Sequence, residues 1–298
     1  ESGTIQQFID EEKKWYDPKN SDNKTREQYD QEVEDRFKNE LLWQDRQMFD
    51  TDTISIMNEH FPISVLIDVE RSPAIPDYLR ERFAMAIWTR ALLLEDYASA
   101  ARIAPELLKF HPEFGESIAQ ITNAKTPLGR QNAILYFILK NPILTPEIQD
   151  GMGRSREDYD GGEIELGNYF FSYDLWWCAP YDSESEQTDS DVPKKQSPDP
   201  IFLTPPQVQA VKVEQVKLKA IGNAPKYLGD KVLAWAKRSP LDRRIPESLF
   251  IGYEANGMSK YGCADNTELH DEIGSYLKSR YPRSEWTQKM VKEEKGDQ

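Results

Sequence analysis

The stretch from Asp77 to Pro112, DYLRERFAMAIWTRALLLEDYASAARIAPELLKFHP, constrains the fold more than any other part of the chain. Phe83, Ala86, Ile87, Ala91 and Leu94 recur at three- and four-residue spacing, the period of one helix face. Glu95 and Asp96 interrupt the pattern, and Ala100, Ala101, Ala104, Leu107 and Leu108 resume it as far as His111-Pro112. Two helices joined by so short a turn lie side by side and antiparallel, and alanines on the return helix let the two backbones approach closely. Repeated along a chain, that unit builds an all-α stack of hairpins.

At 298 residues the chain is long enough for one extended core or two compact ones. Charged residues make up 30% of it, yet it carries 7 Trp, 14 Tyr and 12 Phe. Disordered chains are poor in aromatics, so the charge belongs on the outer faces of folded helices. The excess of 52 acidic over 37 basic residues gives −15, a field that repels phosphate backbones and anionic lipid. Nucleic acid and bare membrane are therefore not expected as partners. No apolar run approaches the ~20 residues of a membrane span. The first residue is Glu1 rather than Met, which sets the expectation that an N-terminal segment such as a signal peptide has been removed and that the chain is periplasmic or exported. Cys178 and Cys263 fit either one disulfide in an exported protein or two buried thiols, and their spacing fits no zinc pattern.

Composition shifts divide the chain. Residues 1–49 read as N-terminal helices that fit the end of a larger upstream region, the second of them a long polar helix with a narrow stripe of Tyr29, Val33, Phe37 and Leu41. Residues 50–153 form the helical-hairpin block. It includes a helix from Pro127 to Lys140, capped by Thr126 and so apolar around Ala133 to Leu139 that it must be buried. Residues 154–206 are an irregular aromatic segment followed by an acidic, Ser- and Pro-rich loop. Helices resume over 207–290, and 291–298 reads as a disordered tail.

Counted back from Pro112, the hairpin resembles the tetratricopeptide repeat: Ala100 falls on the small residue of its second helix, and Ala104 and Leu107 on packing positions. The first helix departs from that pattern, with Trp88 where it has Gly or Ala. YLKSRYPRSEW, from Tyr276 to Trp286, is similar to repeat ends in outer-membrane-associated bacterial lipoproteins. More widely, WTRALLL, KTPLGRQNAILYFILKNP, LWWC, VLAWAKRSPLDRRIPESL and KYGC resemble a family of uncharacterised exported bacterial proteins with helical repeats and no assigned activity. The likeness runs from Asp50 to Trp286 and leaves the insert from Tyr181 to Pro200 unmatched. It implies a helical-repeat fold and an envelope location rather than an activity.

Signatures of chemistry are sparse. His60, His111 and His270 are out of helical reach of one another, and there is no GxSxG, HExxH, Walker or GxGxxG run. No cofactor and no metal site is expected. Asp158, Asp160 and Glu163, near Tyr159 and Tyr169, are the weak candidates for acid–base work on a glycan, against the plainer reading of DYDGGEIE as a solvated turn. In Trp176-Trp177-Cys178 one indole is read as a core plug and the other as a cover for the cysteine, with sugar stacking or a partner contact as the alternative.

The chain is thus read as an all-α, tetratricopeptide-like superhelix of the bacterial cell envelope, a non-catalytic scaffold or adaptor that holds a protein or peptide segment in a concave groove. It fits a subunit of a larger complex. Phe37, Leu41 and Trp43 are the candidate partner-facing residues. A glycan-acting all-α hydrolase or lytic enzyme with paired carboxylates, and a structural subunit of a surface assembly, are the alternatives.

Overall fold

The computed structural model describes residues 13–16, 25–34, 51–142, 144–148, 177–178, 200–257 and 266–296. All regular secondary structure among them is helical, so the chain is all-α. It divides into two compact units, Glu1–Thr51 with Asp150–Met152, and Asp52–Gln149 with Gly153–Gln298.

In the smaller unit, a 3₁₀ turn at Lys13–Trp15 meets a helix over residues 26–34. Thr25 opens that helix through a reciprocal cap: its N–H donates to Gln28 Oε1 at 2.9 Å, and its hydroxyl accepts from the Gln28 N–H at 3.3 Å. Tyr29 packs its ring 5.5 Å from Tyr16, Arg26 lies over Tyr16, Lys13 pairs with Glu34, and Val33 is buried. The start of the narrow apolar stripe therefore covers this unit's own turn. Phe37, Leu41 and Trp43, further along it, lie outside the described residues.

The larger unit begins with α1 (Thr51–His60) and α2 (Ile63–Glu70), separated by Phe61-Pro62. Then comes the hairpin of α3 (Asp77–Leu93) and α4 (Tyr97–Phe110). Its turn is built from Glu95, which takes a left-handed φ of 60°, and Asp96, whose carboxylate caps α4 by accepting the Ser99 N–H at 3.1 Å. The two helices pack together, and Phe83, Ile87 and Ala91 of α3 and Ala100, Ile103, Ala104 and Leu107 of α4 are all buried. Ala101, expected on the same face, is exposed: one residue beyond Ala100 is a third of a turn round the helix, and Ile103 takes the core position instead.

A 3₁₀ turn at Pro112–Phe114 leads to α5 (Gly115–Thr122) and then α6 (Pro127–Lys140). Thr126 caps α6 through the Gly129 N–H at 3.0 Å, with Pro127 at the first helical position. Phe137 stands edge-on to both Trp88, centroids 5.2 Å apart, and Phe114, at 4.8 Å. Trp88 is 2% exposed, so the bulk that departs from the repeat pattern fills the space between α3 and α6.

After residue 200 come α7 (Pro205–Ile221), α8 (Ala224–Arg238), α9 (Ile245–Gly257), α10 (Thr267–Arg280) and α11 (Glu285–Gly296). Helices α8, α9 and α10 pack in sequence, α11 closes on α9, and α6 contacts both α8 and α9. Trp235, Phe250, Ile273, Leu277 and Met290 form the core of this half. No helix among the described residues is long and apolar enough to cross a membrane.

The α8–α9 crossing depends on absent side chains. A Cβ on Gly229 would sit 2.7 Å from Asn256 Nδ2 and 2.9 Å from Leu269 Cδ2. That Asn256 nitrogen donates to the carbonyls of Pro225 and Gly252, both at 2.8 Å, and so has no freedom to retreat. Gly229→Ala is expected to destabilise the larger unit by about 1–3 kcal/mol through overpacking, read as a fall in midpoint by urea or thermal denaturation.

Candidate functional site

Arg90 lies on α3, and its side chain is shut away from solvent. Its guanidinium reaches three segments: Nε donates to the Pro146 carbonyl at 2.8 Å, and the two terminal nitrogens to the Phe61 carbonyl at 3.4 Å and to Asn58 Oδ1 at 3.3 Å. Asn58 in turn clasps Ile148 twice, donating from Nδ2 to its carbonyl at 2.8 Å and accepting its N–H at 2.9 Å. Residues 144–148 thus lie against α1 and α3, with the Pro146 carbonyl and both backbone groups of Ile148 satisfied by side chains.

Helix α7 joins this network from the other side. Gln215 donates to the Asn58 carbonyl at 2.5 Å, and both Glu214 carboxylate oxygens lie 3.1–3.2 Å from the Ile63 N–H. Ile63 is the first residue of α2, so Glu214 caps the positive end of that helix. Val211 is the single buried side chain of α7; Val213 and Val216 are 47% and 70% exposed. Its attachment is chiefly polar.

Between these parts lies a cavity of about 500 Å³. Ile63 of α2 and the corner residues Leu94 and Asp96 form one wall; Pro206, Gln209, Ala210, Val213, Glu214 and Lys217 of α7 form the other. Phe202, 66% exposed just before α7, sets its ring edge-on to Phe61 with centroids 5.7 Å apart. The result is an apolar groove with two carboxylates in its lining, of the size that takes side chains or a small ligand.

Burial pushes the Glu214 carboxyl up to about 7, against the opposing pull of the Ile63 N–H, Arg90 and Lys217. Glu147 is likewise raised by burial and drawn down by Arg90. Burial lowers Arg90 itself, while Glu214 and Glu147 hold its charge in place. The structure therefore gathers one buried cation and two carboxyls that resist ionisation.

The other sequence candidates fall elsewhere. Asp158, Asp160 and Glu163 lie outside the described residues. Trp177 is buried and clasps the junction of α7 and α8: its indole donates to the Gly222 carbonyl at 3.1 Å, and its own carbonyl accepts the Ala224 N–H at 3.0 Å. Cys178 is disulfide-bonded; the chain's other cysteine, Cys263, lies outside the described residues. His111 ends α4 stacked on Phe114, with a ring nitrogen 3.0 Å from each of Glu81 and Glu113. His270 stacks on Tyr253 with centroids 3.9 Å apart. Among the described residues no group of three or more His, Cys, Asp or Glu is placed to hold a metal ion. Nothing in the local pattern of VKVEQVKLK singles out Glu214; a glutamate in a valine-rich stretch is the available signal.

Two predictions follow from the charges. Raised from 4.5 to about 7, Glu214 favours the folded state when protonated, and that contribution is lost as pH rises through 7. Glu214→Gln, which keeps an acceptor for the Ile63 N–H, should leave stability unchanged near pH 4.5 and add about 1–2 kcal/mol above pH 7, measured by urea denaturation across pH. Arg90→Met removes the donors from buried carbonyls and should cost on the order of 3 kcal/mol at low pH and more as pH rises, because Glu214 and Glu147 lose the charge that favours their ionised forms, with Arg90→Lys failing to restore the three-way contact.

No protein-family model, no curated protein and no solved structure matches this chain.

Proposed function

We propose that this chain is a non-catalytic binding scaffold of the bacterial cell envelope, a tetratricopeptide-like stack of helix hairpins that holds a segment of a protein partner in the groove between α7 and the α2 and α3–α4 corner. The observation that carries the reading is α7 itself. It is a helix of 17 residues with one fully buried side chain; it lines a cavity of about 500 Å³ with Ala210 and the half-exposed Val213, and it leaves Val216 exposed one turn further along. Apolar residues in a row along an otherwise charged surface mark sites of association. A peptide laid along the groove would bury the exposed half of Val213, worth about 1 kcal/mol.

Three features support the wider reading. The pairs α3–α4, α8–α9 and α9–α10 pack as consecutive neighbours, the arrangement from which helical repeats are stacked. Ala100, Ala104 and Leu107 are buried on the return helix, as such a repeat requires. The disulfide at Cys178 favours an oxidising compartment such as the periplasm or the exterior.

The test is selection of a random peptide library against the intact chain, with Val213→Gln, which removes the apolar contact without adding charge, as the counter-target. Val213 is 47% exposed, so the substitution should leave the fold intact, which circular dichroism checks. A converged set of peptides that loses at least tenfold in affinity on Val213→Gln supports the scaffold and locates its groove. Failure to converge, or convergence on peptides indifferent to Val213→Gln, overturns it.

A further inference from the structure

We propose that the segment held in this groove is cationic: a Lys or Arg of the partner places its charged head between Asp96 and Glu214 and lays its aliphatic stem against Leu94, Ala210 and Val213. The inference rests on the reading of the groove as a peptide site and adds to it the chemistry of the occupant.

The argument is one of charge and shape. The cavity walls are chiefly apolar, with the carboxylates of Asp96 and Glu214 contributed from opposite sides, the first from the α3–α4 corner and the second from α7. Each of those groups has acceptor capacity left over. Asp96 takes the Ser99 N–H on one oxygen, and Glu214 shares the single Ile63 N–H between two. A long side chain with an apolar stem and a cationic tip is the complement of such a cleft. Lys217, the cation among the lining residues, is exposed, and its flexible stem lets it swing aside. An anionic occupant would meet both carboxylates and the −15 of the chain, whereas a cationic one is drawn in by that field.

The same geometry couples capture to a proton. The groups that face Glu214 are the Ile63 N–H at the start of α2, Arg90 on α3, Asp96 at the corner and Lys217 on α7, with Glu147 acting on Arg90 from residues 144–148. Burial dominates that set and keeps Glu214 protonated for part of the time at neutral pH. A cation seated against it requires the carboxylate, so binding expels the proton that the empty groove retains. Affinity should rise with pH until Glu214 is ionised before the partner arrives.

The experiment uses the intact chain and a peptide converged upon in the library selection, titrated at about pH 8 and about pH 5.5. The expected peptide carries a Lys or Arg among apolar residues, and its affinity falls at least tenfold at the lower pH as the ionised fraction of Glu214 shrinks. Replacing that Lys or Arg by Gln, or making Glu214→Gln, should cost a similar factor at the higher pH and flatten the pH dependence. Asp96→Asn, which preserves the α4 cap, should weaken binding without flattening it. Converged peptides without a basic residue, or an affinity indifferent to pH and to Glu214→Gln, overturn the cationic occupant while the groove itself stands. No converged peptide removes the groove and this inference together.

Discussion

A guanidinium sealed from water organises the N-terminal half of the larger unit. Arginine does not shed its proton, so a buried Arg90 is tolerable only where its donors find acceptors. Two of the acceptors it finds are carbonyls that no regular helix would satisfy, Phe61 in the break between α1 and α2 and Pro146 in residues 144–148. Each side thus removes the other's penalty: the charge is solvated by backbone dipoles, and the irregular backbone is satisfied by the charge. The clasp of Asn58 on Ile148 and the reach of Gln215 to the Asn58 carbonyl extend the arrangement to α7. The state of Glu214 follows from it. Glu147 and Glu214 both lie inside the field of Arg90, and its pull on each is smaller than the rise that burial imposes.

Helix α6 carries the structure from this polar network to the C-terminal half. One side sets Phe137 between Trp88 and Phe114. The other places Tyr136 and Lys140 on the two oxygens of Glu247 of α9, at 2.5 and 2.6 Å. Burial and that bond to Glu247 push the Tyr136 phenol well above its ordinary range, so it remains a donor throughout the pH range in which the chain is folded. The run from Ala133 to Leu139, buried at every position but Tyr136, leaves no broad solvent face and so sits between partners.

What could be read from the chain beforehand was whatever depended on neighbours in sequence. The cap at Thr126 with Pro127, the turn at Glu95-Asp96 and the alanines of the return helix are local signals, and α6 and α4 begin and end where those signals put them. Periodicity was less sharp on faces: Ala101 and Leu108 share a run with core residues yet stand off the buried face. The groove was illegible for a different reason. Ile63 and Glu214 are 151 residues apart, and their contact arises only when α7 is laid across the start of α2. A glutamate in a valine- and lysine-rich helix reads as surface charge, and nothing near Arg90 in sequence announces that its partners lie on three other segments.

The way α7 is attached bears on how such a groove works. A helix fixed by an apolar seam would have spent its valines on its own fold, whereas α7 is fixed by Glu214 and Gln215, with Val211 alone buried. Directional bonds set its position and angle without consuming Val213 and Val216, so the hydrophobic free energy of those residues stays available to whatever covers them. Ionising Glu214 strengthens its hold on the α2 N-terminus in Coulombic terms and raises its desolvation cost, and the second effect is the larger. A cation entering beside it reverses that balance, because the carboxylate then has a counter-charge where it had lost water. Occupant and helix therefore stabilise each other through the same carboxyl group, a coupling that an apolar seam does not provide.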